Sequence, residues 1–573
     1  MEREAIIKVA RGEVLPDLLL KNALVVNVFT GEVLEANVAL KNGWIAGVGD
    51  YIQGEEVLDL QGKYLIPGLI DAHIHLESTM LNPENFARAA LLHGTTAVVA
   101  DPHEIVNAAG MEGLLYMLEA SRGLPLDIYY TIPSCVPATH METTGGHFSQ
   151  EEIEEAFKLY GESPALGEMM NFPGVCFQDP QVMARLRAAR KMGKLIDGHA
   201  PLLEGRELNA YISSGITTDH ECTRVEEALG KLRLGMKVLI REGSAARNLL
   251  DLLPLINEKN SPHIMFCCDD RHPGDLLYEG EVDQILRKGV AAGLDPVLGI
   301  KMVTINPATH YRLSELGAVA PGYQGDLVVV NNLQDFQVEK VFKRGKLVVQ
   351  GGEILWEAEK KIGDKVTPRE KKLMETVRLP SLKGKLSVEV PSSAYRVRVI
   401  QVFPRQILTS SLLVSPEEAL EDKDINQVAV VERYGKNGNI ALGLVKGFGP
   451  LEGALASTVA HDSHNLILIG QEEDMETAAL RIAEMGGGLA VVSGGEVLAD
   501  LPLPLAGLMS QEEVEVVAAR HERLLETARQ IGCQLPSPFM TMSFLALPVI
   551  PHLRITDRGL VDVEEFKFVE LCF

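Results

Sequence analysis

The stretch Asp71-Ala72-His73-Ile74-His75-Leu76-Glu77-Ser78 follows the apolar run Tyr64-Leu65-Ile66-Pro67-Gly68-Leu69-Ile70. On a β-strand, residues i and i+2 face the same side. His73 and His75 would therefore aim two imidazoles at one point, and imidazole is the commonest metal ligand among side chains. A strand that happens to end in two histidines is the plainer reading. The rest of the chain decides between them.

From residue 65 to about 318, short apolar runs alternate with helical patterns. The runs are Leu69–Ala72, Thr96–Ala100, Asp127–Thr131, Ala165–Glu168, Lys194–Gly198, Ile216–Asp219, Lys237–Ile240 and His263–Cys267. Helix-like stretches such as Asn85–His93, Glu151–Tyr160, Gln181–Met192 and Glu226–Gly235 lie between them. Eight such units in roughly 250 residues match the size and alternation of a (β/α)8 TIM-like barrel. An open doubly wound sheet fits the alternation as well.

The flanks have a different texture. Residues 17–60 read as short strands with turns, including the hairpin signal Asn42-Gly43 between apolar runs. β texture returns at Asp326–Val330, Val338–Phe342 and Arg344–Val349. The expected organisation is an α/β chain with the barrel, residues 66–318, inserted into a small β-sandwich. Residues 1–65 form its first half, and residues 319–376 form its second half and a linker. The charged run Glu357–Lys361 reads as that linker or as an exposed helix. Residues 377–573 are long enough for an independent C-terminal α/β domain.

Composition narrows the partners. The net charge of −25 argues against nucleic acid and membrane surfaces, which attract basic patches. It leaves a small molecule as the expected partner. Met1–Ala5 lacks the apolar core of a secretory signal, and no run is long enough to span a bilayer. Seven scattered cysteines without a CxxC pair suit reduced thiols and a cytoplasmic location.

Residues at the expected strand ends form a pattern. The first strand gives His73 and His75, the fourth Glu168, the fifth His199, the sixth His220 and the eighth Asp269. Four histidines and two carboxylates are too many for one catalytic ion that keeps an open position. They suit two ions about 3.5–4 Å apart that share a bridging carboxylate and hydroxide. Mixed nitrogen and oxygen donors do not choose the metal. Asp269, at the mouth of the barrel, is the first candidate for proton transfer, with Glu77, Glu104 and Glu221 as alternatives. His103 and the Gly-containing loop His140–His147 close the second and third strands. Ala460-His461-Asp462-Ser463-His464-Asn465 is the sharpest motif outside the barrel. It would reach the barrel mouth of its own chain or of a neighbouring subunit.

The Pro67–His75 pattern and the split β-unit resemble the amidohydrolase superfamily. Asp101-Pro102-His103-Glu104, Gly167–Asn171, Asp269–Pro273 and Ala460–Asn465 are similar to the bacterial adenine deaminase family of the binuclear type. Many binuclear amidohydrolases bridge their ions with a carboxylated lysine, whereas this sequence has Glu168 at that position. The resemblance implies His73, His75, Glu168, His199, His220 and Asp269 as ligands of two divalent ions. Mn2+ or Fe2+ is the usual metal of that family, with Zn2+ as a further option. It implies attack of a metal-bridged hydroxide on adenine, giving hypoxanthine and ammonia. Asp270, Arg271, His103, Glu104 and His461 would contact substrate, and the assembly would be a homo-oligomer, dimer or higher. The competing readings are another binuclear cyclic-amide hydrolase and a metal-free assembly protein.

Overall fold

The computed structural model describes residues 3–357, 366–391, 393–404 and 406–573. The expected linker segment Ala358–Lys361 lies outside them. The strands at both flanks of the central region share one nine-stranded sheet. Tyr64–Pro67 pairs antiparallel with Leu327–Val330, with Leu65 opposite Val329. This pairing brings together residues more than 250 positions apart in the chain. Two tight turns shape the sheet. Asn42-Gly43 joins Val33–Lys41 to Trp44–Gly49, and Arg344-Gly345 joins Val338–Lys343 to Lys346–Gln350. All four turn residues have positive φ, as a two-residue hairpin matched to strand twist requires. The sheet is mixed rather than purely antiparallel, because Leu18–Val26 runs parallel to both Glu56–Asp59 and Tyr64–Pro67.

The central region holds eight strands: Leu69–Ile74, Thr95–Ala100, Asp127–Tyr130, Ala165–Met169, Leu195–Gly198, Thr218–Asp219, Lys237–Arg241 and Ile264–Cys267. Each is followed by one or more helices before the next begins. Ladders join strands one to three, four with five, and six to eight, all parallel. Single contacts connect these groups. Ile132 bridges Leu166, and Thr217 N donates to Ile196 O at 3.0 Å. Ile74 bridges Asp269, and Asp269 N donates to His73 O at 3.0 Å, so the first and eighth strands meet. Residues from opposite sides, including Ala72, Val99, Ala165, Leu239 and Met265, pack with Tyr311 in one buried cluster. Strands covered on both faces read as continuous apolar runs, which is the pattern seen in the sequence.

The C-terminal region has an eight-stranded sheet, Val397–Val402 through Glu496–Pro502, covered by helices Glu472–Met485 and Val514–Gln530. Helix Pro538–Leu545 follows it, then a three-stranded sheet, Leu553–Thr556, Gly559–Asp562 and Lys567–Val569. This region clamps the loop after the third central strand. Asn465 Nδ2 donates to Thr143 O at 2.8 Å, Lys436 Nζ to Thr144 O at 2.7 Å, and Thr143 N to Asp557 Oδ1 at 2.8 Å. Gly146 lies so close to the helix His103–Ala109 that a Cβ there would sit 2.1 Å from Val106 O. No side chain fits that approach.

Candidate active site

Asp71 anchors the opening stretch. Its buried carboxylate accepts His73 N at 3.0 Å and Cys268 N at 3.1 Å, which ties the first strand to the eighth beneath the histidines. His75 Nδ1 lies 2.9 Å from Asp101 O. A carbonyl oxygen only accepts, so Nδ1 carries the ring hydrogen and the Nε2 lone pair faces inward. A backbone partner of this kind is how proteins fix the tautomer of a metal-ligating histidine. His73 Nε2 and His75 Nε2 stand 3.2 Å apart.

Glu168 lies between two groups of histidines. Its Oε1 is 3.2 Å from His75 Nε2 and 4.0 Å from His73 Nε2. Its Oε2 is 2.7 Å from His199 Nδ1 and 3.1 Å from His220 Nε2. The Glu168 backbone N–H donates to Asp101 Oδ2 at 2.9 Å, so Asp101 supports both Glu168 and His75. A lower platform holds His199 and His220. Asp219 accepts Ala200 N at 2.8 Å, and Lys231 Nζ bonds Ala200 O, Asp219 Oδ2 and Glu227 Oε1 at 2.7, 2.9 and 2.9 Å.

Asp269 adopts φ 60, a left-handed conformation rare for residues other than glycine. The strand has ended at Cys267. This turn lets Asp269 and Asp270, neighbours in sequence, both line one cavity. Asp269 Oδ1 is 3.1 Å from His75 Nε2, and its Oδ2 accepts Arg241 Nη1 at 2.6 Å. Arg241 also holds Glu221 through both terminal nitrogens, with Nη2 2.8 Å from Oε2.

The donor set fits divalent ions. Triplets His73–His75–Asp269, His73–Glu168–His220 and His199–His220–Glu221 each bring their ligand atoms within 4.8 Å of one another. All six residues named from strand ends belong to this cluster, with Glu168 contacting both halves. Burial alone would push Glu168 and Asp269 toward protonation. The imidazoles of His220 and His199 hold Glu168 well below the usual carboxylate range, and Arg241 does the same for Asp269. Without a metal, the protonated His220 and His199 supply the positive charge that Glu168 faces; a cation would take their place and displace those protons.

A narrow cleft opens above the cluster. His103, Glu104, Glu221 and His461 line it, as do Ile407, Phe544, Leu547 and Ile550 of the C-terminal region. The motif at 460–465 therefore reaches the site within its own chain. His461 Nδ1 lies 2.5 Å from Glu104 Oε1, and His464 Nε2 contacts Glu104 Oε2. Of the residues expected to transfer protons or contact substrate, two do not line the cleft. Glu77 is buried behind it and accepts Ile105 N at 3.1 Å. Arg271 turns away, with its guanidinium on Gly280 O, Asp275 O and Glu279 at 3.1, 3.0 and 3.2 Å. It is a structural ion pair. Arg241 and the apolar wall were missed, whereas Asp101 and Asp462 were singled out within their motifs without a role of their own. Arg241 had a signal, since it directly follows the apolar run of the seventh strand. The wall had none, because its residues meet the cleft only through tertiary contacts.

The fold and this cluster define a class. Residues 64–348 match the model of the amidohydrolase family, and residues 406–567 match the adenine deaminase C-terminal domain. The chain is a member of the amidohydrolase superfamily. Three relatives are named adenine deaminase. Those of Desulfatibacillum aliphaticivorans and Kosmotoga olearia are 46% and 45% identical, over 99% of this chain and 99% and 98% of theirs. That of Methanothrix thermoacetophila is 46% identical over the full length of both. Within the superfamily, the chain belongs to the adenine deaminase family.

Proposed function

We propose that this protein is an adenine deaminase, converting adenine and water to hypoxanthine and ammonia. The reading is carried by the Glu168-centred cluster in a chain that aligns end to end with adenine deaminases. We infer a closed (β/α)8 barrel from the succession of parallel neighbours, with the site at the C-terminal ends of its strands. Two divalent ions, manganese or iron with zinc as an alternative, are proposed on His73, His75, Glu168, His199, His220 and Asp269. Ions at such a site lower the pKa of water so that hydroxide is available near neutral pH.

The chain's own groups would do the remaining work. Asp269 takes one proton of the attacking water and delivers it to N1, then takes the remaining proton from the oxygen on C6 and delivers it to the amine. C6 gains an oxygen, the C6–N bond breaks, and ammonia leaves. Arg241 keeps Asp269 ionised and holds Asp269 and Glu221 in place between transfers. Asp270 is half-buried beside Asp269, and desolvation and the neighbouring charge raise its pKa. The Asp270 carboxylate can accept from a purine ring N–H. Ser78 Oγ, 2.5 Å from Asp270 Oδ1, orients it. Phe544, Ile407, Leu547 and Ile550 would flank the flat ring and exclude bulk water. His103, Glu104 and His461 border the same space.

No helix among the described residues is long and apolar enough to cross a membrane. A cytoplasmic homo-oligomer acting on a small molecule remains our proposal. The test is ammonia release from adenine after reconstitution of metal-free protein with manganese or iron, with His73→Ala as control. Ring opening of hydantoin or dihydroorotate to the carbamoyl amino acid, with no ammonia from adenine, would overturn the assignment.

A further inference from the structure

His464 is buried in the loop between strands Ala454–Ser457 and Leu466–Gly470. Its backbone is left-handed at φ 51, a conformation that costs a non-glycine residue on the order of 1–3 kcal/mol and that concentrates at functional sites. Ala460 N donates to His464 Nδ1 at 3.1 Å. A backbone N–H only donates, so Nδ1 is an acceptor and the ring hydrogen sits on Nε2. That hydrogen points to Glu104 Oε2. Glu104 Oε1 in turn faces His461 Nδ1 at 2.5 Å. With its carboxylate accepting from both histidines, Glu104 fixes the hydrogen of His461 on Nδ1.

His461 stacks on Phe544, with ring centroids 4.8 Å apart and planes at 24°. Its other nitrogen, Nε2, has no hydrogen-bond partner among the described residues, and the ring lines the cleft. Burial opposes charge on His461, but Glu104, Asp270 and Asp462 surround it and raise its pKa to about 9. At neutral pH both ring nitrogens therefore carry hydrogen.

We propose that Glu104 and His464 are a positioning pair that presents His461 Nε2–H to the cleft, where it donates to an acceptor nitrogen of the purine ring. This rests on the adenine deaminase reading above. The C-terminal region thereby reads the substrate by a directed hydrogen bond as well as covering it. A buried donor left without its acceptor is costly, which makes such a contact discriminating.

The test uses metal-reconstituted enzyme with adenine, 3-deazaadenine and 7-deazaadenine, each analogue replacing one ring nitrogen with C–H. Turnover is compared as kcat/KM, or as inhibition constants where an analogue is not turned over. In the parent, one of the two analogues is expected to lose about 10–100-fold relative to adenine, the scale of one buried hydrogen bond. In His464→Leu, adenine itself loses a similar factor, the penalty on that analogue shrinks toward one, and metal content stays at the parent value. His464→Gln, whose amide can accept from Ala460 N–H and donate to Glu104, restores part of the penalty. An undiminished penalty in His464→Leu, or no penalty for either analogue in the parent, overturns the proposal. A parent that releases no ammonia from adenine overturns the activity instead. In that case, or if His464→Leu does not fold, nitrogen-15 NMR of His464 in the metal-free parent decides. The Nε2–H tautomer supports the pair and the Nδ1–H tautomer overturns it.

Discussion

Arg241 Nη1 lies 2.6 Å from Asp269 Oδ2 while the same guanidinium grips Glu221, so one buried cation serves two carboxylates at the rim of the ligand cluster. All three side chains are buried. Arg241→Lys keeps the charge but loses the two-pronged grip on Glu221. Because Arg241 holds Asp269 below the usual carboxylate range, weakening that contact raises the pKa of Asp269. The acidic limb of the pH–rate profile should therefore move to higher pH, with kcat reduced about 10–100-fold, less than the roughly 10²–10⁴-fold that removing a positioned acid–base group outright costs. A lysine variant with an unmoved acidic limb would contradict this role.

Asp101 supports two of the proposed ligands at once, through its carbonyl to His75 and its carboxylate to the Glu168 backbone. Asp101→Ala removes only the second of these. Outer partners of metal ligands typically contribute about 10–100-fold in affinity. Competition with a chelator, read by elemental analysis, should show weaker metal retention by that order. Retention equal to the parent's would mean that Glu168 is held by packing alone.

Lys231 is fully buried with Asp219 and Glu227 beneath His199 and His220. Lys231→Met leaves two buried carboxylates without their cation. Breaking a buried pair in this way costs about 3–5 kcal/mol. Urea denaturation of the metal-free protein should report a loss of that size, whereas a loss under about 1 kcal/mol, typical of an exposed pair, would refute the platform.

His521, on helix Val514–Gln530, packs against His272 with ring centroids 4.8 Å apart. Burial, reinforced by His272, pushes its pKa down to about 3. An unfolded histidine titrates near 6.5. The neutral folded form therefore contributes its full stability above about pH 6.5, and that contribution falls as pH drops from about 6.5 toward 3. His521→Leu removes this dependence. Between pH 7 and pH 5, parent stability should decline by about 2 kcal/mol more than that of the variant, at about 1.4 kcal/mol per pH unit below the unfolded pKa. Parallel decline in the two proteins would refute it.

The parts of the site legible in the sequence are those with a local pattern. His73, His75, Glu168, His199, His220 and Asp269 each stand at the end of an apolar run, and strand periodicity alone aims such residues at one rim. Glu77 and Arg271 look equivalent in sequence because they adjoin ligands. The 3-10 turn Leu76–Thr79 and the left-handed Asp269 rotate the chain, so proximity along it does not carry over to the cleft. Ile407, Phe544, Leu547 and Ile550 had no pattern to read, since their role depends on a contact across most of the chain. The mixed pairing of the nine-stranded sheet was hidden for a related reason, because alternation along a strand is the same for parallel and antiparallel neighbours.

The apolar wall has a consequence for how the molecule is made. A ribosome releases chain from the N-terminus, and domains tend to fold in that order. The ligand cluster is complete once Asp269 has emerged, while Ile407 and Phe544 are still to be synthesised. During that interval the nascent cluster faces bulk water with its outer wall missing. The wall that shields the cleft therefore closes over a cluster that is already assembled.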